Sequence, residues 1–137
     1  MTMETHPKAL THEEAANYVA RFAERWNPLQ PAALGDLMHE DTQNRIPPMT
    51  SPADRVGVIA HFEGTKKLLP DLRLVPTRWA ANGDALFIEW RAEATVKGQT
   101  LTWTGVDRVQ LRDGKTYAAE AYWDTRRVAE LVAAAMR

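Results

Sequence analysis

An α+β fold, with helices gathered on the concave face of a curved antiparallel sheet, is what this 137-residue sequence predicts. Three observations carry that reading. From Asp84 to Asp124 the chain runs as alternating apolar and polar segments, the pattern of half-buried strands. Glycine turns join them: Val96-Lys97-Gly98-Gln99 and Arg112-Asp113-Gly114-Lys115 each place Gly where a hairpin needs positive φ. Helix-period segments lie before and after this stretch, so helices and strands are segregated along the chain.

The elements follow in order. Residues 1–10 read as a loose leader. Thr11-His12-Glu13-Glu14 is a capping box, with Thr11 as N-cap and Glu14 at N3. Ala15, Val19, Phe22, Ala23 and Trp26 then share one helical face, with Tyr18 at its edge, and the helix stops near Asn27-Pro28. Pro31 opens a short helix over roughly 32–38, followed by a short extended piece over 42–46. Ser51-Pro52-Ala53-Asp54 predicts another helix start, with Pro52 at N1 and Asp54 at N3, running towards Leu69. Pro70-Asp71 breaks it. A strand over 72–79, bulged at Pro76, turns at Asn82-Gly83 into the meander. Val128, Leu131, Val132, Ala135 and Met136 mark a terminal helix.

Composition narrows the function classes. The length suits one domain spanning 1–137, able to bury about two-thirds of its unfolded surface. A net charge of −1 leaves no electrostatic footprint for nucleic acid or an anionic membrane. There is no cysteine, which excludes disulfides, thiol catalysis and zinc–thiolate sites. The four histidines lack ligand spacing, so no metal site is expected, and no pattern implies a cofactor. With no apolar run long enough for a signal or a membrane span, the chain reads as cytoplasmic.

Successive strand side chains point to opposite faces, and this locates the candidate site. Leu86, Ile88, Trp90, Ala92, Ala94 and Val96 form the inward row of one strand. Leu101, Trp103, Gly105, Asp107, Val109 and Leu111 form that of the next, which puts one carboxylate, Asp107, among apolar residues. In the last strand Ala119, Ala121 and Trp123 make a small-small-aromatic row suited to a cavity wall. Each reading has a plain structural rival. The tryptophans serve equally as core or interface residues, Tyr18 as a helix-edge residue with a wet hydroxyl, and Asp107 as a carboxylate paired with an arginine or an amide. Glu89, Arg91, Glu93, Arg108 and Glu120 read as solvated or dimer-facing charges, and His39 and His61 as surface or packed histidines.

The helical first half, the Pro-Asp-Leu break, Asn-Gly-Asp, Gly105-Val106-Asp107-Arg108, Arg-Asp-Gly-Lys and the closing Ala121-Tyr122-Trp123-Asp124 resemble the SnoaL-like branch of the nuclear transport factor 2-like superfamily. The resemblance covers about 11–136 and implies a cone-shaped α+β barrel around a deep pocket, commonly dimerising through the outer sheet face. That superfamily includes ketosteroid isomerase, polyketide cyclases, limonene epoxide hydrolase and proteins that only bind. Asn17-Tyr18-Val19-Ala20 resembles the ketosteroid isomerase segment carrying the oxyanion-hole tyrosine, and Gly105–Arg108 the strand carrying its protonated aspartic acid. The isomerase base falls near Ile46, where this chain has no carboxylate. The positions limonene epoxide hydrolase needs for its acid pair and arginine are occupied by Trp90, Ala92 and Ala121, which argues against that chemistry.

Three hypotheses result. One is an enzyme moving a proton on a small apolar carbonyl compound, with Asp107 as acid or acid/base and Tyr18 as donor to a developing enolate. Trp90, Trp103, Trp123, Ala121, Ile46 and Phe62 would then form the ligand contacts, with His39, Asn44 or His61 supplying a base or orienting a water. The second is the same pocket holding an apolar ligand without turnover. The third is a dimerisation module with a filled core. A cavity of several hundred Å3 favours the first two, and tryptophans packed across that space favour the third.

Overall fold

Strand-forming and helix-forming segments separate in space as they do in sequence. A computed structural model describes residues 8–137, with the order α1 (His12–Trp26), α2 (Pro31–Gly35), β1 (Met38–Arg45), α3 (Arg55–Leu68), β2 (Arg73–Asn82), β3 (Ala85–Val96), β4 (Gln99–Arg112), β5 (Lys115–Tyr122) and α4 (Thr125–Met136). The five strands form a curved, unclosed sheet in the order β1-β5-β4-β3-β2. Both expected hairpin turns have two consecutive left-handed residues, Lys97-Gly98 and Asp113-Gly114, the backbone that matches the twist of the flanking strands. The bulge expected at Pro76 is present as a register shift between Pro76 and Arg78. Among the described residues, no helix is long and apolar enough to cross a membrane.

The capping box of α1 forms as expected. The Thr11 hydroxyl accepts the Glu14 N–H at 3.0 Å, and the Glu14 carboxylate accepts the Thr11 N–H at 2.9 Å. Ala15, Tyr18, Phe22 and Trp26 are the buried stripe of this helix. Of the leader expected over 1–10, residues 1–7 lie outside the described residues. Leu10 is not loose: it packs on the core, and its N–H donates to the Gly83 carbonyl at 2.8 Å.

Three boundaries differ from expectation, each for a tertiary reason. The second helix ends at Gly35 instead of near 38, and β1 begins at Met38 instead of 42. Pairing with β5 draws this segment out: Met38 lies opposite Thr116, and the Leu37 carbonyl accepts the Thr116 N–H at 2.8 Å. This β1–β5 pairing is parallel, whereas every other pairing in the sheet is antiparallel as expected. The third helix starts after Asp54, which is its N-cap and accepts the Gly57 N–H at 2.9 Å. Ser51-Pro52 cannot begin it, because Ala53 and Asn44 exchange two backbone hydrogen bonds, at 2.8 and 2.9 Å, that hold residue 53 extended.

Most of the predicted inward rows are buried, while Val96 of β3 and Trp103, Gly105 and Asp107 of β4 are half-buried. Leu86, Ile88, Trp90, Ala92 and Ala94 of β3 are all buried, as are Leu101, Val109 and Leu111 of β4. They meet the α1 stripe, Leu29, Leu34, Leu37 and Val58 in one apolar cluster.

Candidate active site

The central carboxylate depends on a missing side chain. Asp107 sits on β4 opposite Ile88 of β3 and Ala121 of β5, while Trp90 lies opposite Gly105, two residues away on the same face. Because Gly105 has no Cβ, the Trp90 indole crosses over it and donates its Nε1–H to Asp107 Oδ1 at 2.9 Å. The structural alternative for Asp107, pairing with an arginine or an amide, is therefore replaced by pairing with an indole. Oδ2 has no protein partner among the described residues.

Burial pushes the Asp107 carboxyl up from 3.8 to about 6, against the opposing effect of the Trp90 hydrogen bond, which favours the charged form. This has a consequence for stability. Below pH 3.8 the group is protonated in both folded and unfolded chains, and between 3.8 and about 6 only the folded protein holds the proton. Stability therefore falls as pH rises through this window, by on the order of 2 kcal/mol where cavity water does not reach the group. Thermal melts of wild type and Asp107→Asn at pH 4 and pH 7 test this: the wild type should lose ground to the variant at the higher pH.

Tyr18 of α1 comes down over the other end of the same space. Its hydroxyl lies 2.8 Å from Thr116 Oγ1, and both residues are buried. Burial is the main cause that pushes the phenol up to about 12; the Thr116 bond opposes it and the Asp107 charge adds to it. Tyr18 is thus a hydrogen-bond donor at neutral pH, not a proton source.

Alternation counted back from Trp123 misses Thr116, placing Tyr117 inward instead. Counting across the Asp113-Gly114 turn gives the opposite answer, since Leu111 must then face Thr116. The structure reconciles the two counts with a register shift between Gln110 and Leu111 that leaves Tyr117 as the extra residue. Thr116, Ala119, Ala121 and Trp123 consequently share the cavity side. Tyr117 turns instead to a hydrogen bond with Asp84.

Between these groups lies a cavity of about 130 Å3, close to the roughly 150 Å3 that holds a benzene-sized guest in an apolar interior. It is smaller than the several hundred Å3 that full ligand pockets reach, and the tryptophans wall it without filling it. Asp107, Tyr18, Trp90 and Trp103 border it, as do Trp123, Ala121, Ile46 and Phe62. Trp90 and Trp123 stand with ring centroids 6.3 Å apart, and Phe62 meets Trp26 edge-on at 5.0 Å.

Of the three alternative base positions, Asn44 and His61 reach the cavity and His39 does not; its Nε2 lies 2.6 Å from the Arg112 carbonyl oxygen. Burial pushes the His61 imidazole down, which keeps it neutral at pH 7. The outer-face charges, expected to be solvated or dimer-facing, pair within the chain, Arg78 with Glu89 at 2.8 Å and Arg91 with Glu93 at 3.2 Å. Glu120, 3.8 Å from Arg108, also touches the cavity rim.

Solved structures share this architecture. IdmH from Streptomyces antibioticus, a candidate polyketide cyclase, is 20% identical, with 85% of this chain and 97% of that one aligned at a TM-score of 0.76. A candidate polyketide cyclase from Bacillus cereus is 14% identical over 97% of each chain, at a TM-score of 0.78. A ketosteroid isomerase-like protein from Catenulispora acidiphila, in complex with trimethylamine, is 18% identical over 79% of this chain and 85% of that one, at 0.71. At these identities the likeness concerns the fold alone. No curated protein sequence matches the chain. The model of the SnoaL-like domain matches residues 19–119, most of the helical half and of the sheet. On that match, the chain belongs to the SnoaL-like domain family.

Proposed function

We propose that the cavity takes a small, largely apolar carbonyl compound and that Asp107 moves a proton on it. The observation that carries this reading is a carboxyl on the wall of an apolar cavity, one oxygen held by an indole N–H and the other without a protein partner among the described residues. With its proton lost near pH 6, Asp107 is mostly ionised at neutral pH and still basic enough to accept an α-proton. The proton leaves carbon for Oδ2, and the C–H electron pair moves to the carbonyl oxygen as an enolate. Tyr18 would donate to that oxygen, its own oxygen accepting from Thr116. This supplies a base that the sequence comparison with ketosteroid isomerase lacked: Asp107 acts as acid/base, not as a neutral donor.

Returning the proton to another atom makes an isomerase. Attack of the enolate carbon on a second carbonyl makes a cyclase, the class named for two of the structural neighbours. Both begin with the same step. We further propose a homodimer through the outer sheet face, where Phe87 and Tyr122 are 38% and 47% exposed beside the paired charges.

Ala121 tests occupancy of the cavity. Its small side chain is part of the floor between β1 and β4, so Ala121→Phe should fill the space. Titrating tryptophan fluorescence with acetophenone is expected to give saturable quenching in wild type. The variant should show none, while keeping its circular dichroism spectrum. Equal quenching in both proteins would place the ligand elsewhere.

Binding without turnover is the second reading. It is favoured by Ile46 standing where the isomerase base would be, and quenching without any α-proton exchange would establish it.

A further inference from the structure

Asn44 is buried, 6% exposed, and borders the cavity from β1. Two constraints fix its side chain. Its backbone N–H and carbonyl are both tied to Ala53, at 2.9 and 2.8 Å. Its Oδ1 accepts the Thr42 hydroxyl at 2.6 Å and its Nδ2 faces the Met38 thioether, which can only accept; together these orient the amide. The Nδ2 group carries two N–H donors, and the partner it has is Met38 Sδ at 3.8 Å, a weak acceptor. A buried amide donor so poorly satisfied is costly unless something else occupies it.

Sheet register locates this donor relative to the carboxylate. Asn44 lies opposite Ala119 of β5, which lies opposite Val109 of β4. Asp107 is two residues from Val109, on the same face. Two strand spacings of about 4.8 Å and one same-face step of about 6.7 Å therefore separate the two backbones. The side chains between them are Ala119 and Ala121, the small residues of the floor. A flat molecule the size of one ring fits on that floor with Asp107 at one side and the Asn44 amide at the other.

We infer that Asn44 holds the ligand's acceptor oxygen through Nδ2–H, which makes the ligand a carbonyl compound whose oxygen points to β1 and whose acidic C–H points to β4. The inference rests on the reading of this cavity as a ligand site and deepens it. Asn44 becomes a second oxyanion donor beside Tyr18, and hydrocarbons of the same shape are disfavoured because they leave Nδ2 unpaired.

A matched pair of probes tests this: acetophenone, and α-methylstyrene, in which a methylene replaces the carbonyl oxygen. Calorimetric titration of wild type should favour acetophenone over the hydrocarbon by about tenfold more than their partitioning into an apolar solvent predicts, the size of one well-made hydrogen bond. Asn44→Leu should reduce that excess to near unity without weakening α-methylstyrene. Should that variant fold poorly, Asn44→Asp is isosteric, still accepts from Thr42 and lacks the N–H, so it too should lose the excess. A purely structural Asn44 would change both affinities together and leave their ratio alone. An unchanged ratio in a folded variant overturns the assignment of Asn44 only. Failure of acetophenone to bind wild type overturns the cavity reading, and the assignment with it.

Discussion

Asp107→Asn is expected to lower the exchange of acetophenone α-protons in D2O by about 10²- to 10⁴-fold, the usual contribution of a positioned general base. The amide keeps the shape of the carboxyl and can still meet the Trp90 indole through its carbonyl oxygen, so the fold and ligand affinity should persist. Stability at pH 7 should hold or rise, because the variant no longer carries a half-buried carboxyl whose ionisation the folded state resists. Proton NMR of the ketone in D2O reads the rate, and a thermal melt reads the stability. Lost exchange with retained binding and melting temperature separates chemistry from packing. Asp107→Leu, which in addition removes the acceptor for Trp90, should be less well folded than Asp107→Asn.

Gly105→Ala is the second large effect. A Cβ at this position would stand 2.5 Å from Trp90 Cη2 and 2.7 Å from the Tyr122 carbonyl oxygen, and neither an indole inside a packed core nor a strand backbone yields easily. Overpacking of this kind typically destabilises by about 1–3 kcal/mol. The larger consequence is for the site. To make room the indole must leave the strand, and its Nε1–H then moves away from Asp107 Oδ1. Without that donor the carboxyl loses the one hydrogen bond that favours its charged form, so its pKa should rise further above 6. Exchange activity at pH 7 should fall and its pH profile shift to higher pH. A variant that melts earlier but keeps the wild-type profile would show that Gly105 serves packing alone.

These two positions illustrate how far sequence reasoning reaches. Alternation placed Trp90, Trp103, Asp107 and Ala121 on the inner face, because a half-buried strand writes its inside and outside in every second residue. The capping box fixed the start of α1 for a similarly local reason. The misses are nonlocal. His39-Glu40-Asp41 has no strand signature, and this segment is extended because β5 is there to pair with it in parallel. Asp54 moved from the first turn to the cap because Asn44 holds Ala53. Thr116 was obscured by a one-residue bulge, although the conflict between counting from Trp123 and counting across the Asp113-Gly114 turn contained the signal. Asn44 read as one more polar residue of a short strand, and only the Thr42 bond and the cavity beside it give its amide a direction.

The pH dependence of α-proton exchange is the most direct measurement of the central claim. Acetophenone does not titrate between pH 4 and pH 9, so the profile of kcat/KM reports groups of the free protein. The account predicts that the rate climbs as Asp107 ionises, with a midpoint near 6, and is level above pH 7. His61, the histidine on the cavity wall, whose imidazole burial pushes down, should be dispensable, so His61→Gln should keep the same profile. A profile that is flat across pH 5 to 7, or that disappears in His61→Gln and survives in Asp107→Asn, contradicts the assignment of Asp107 as the group that moves the proton.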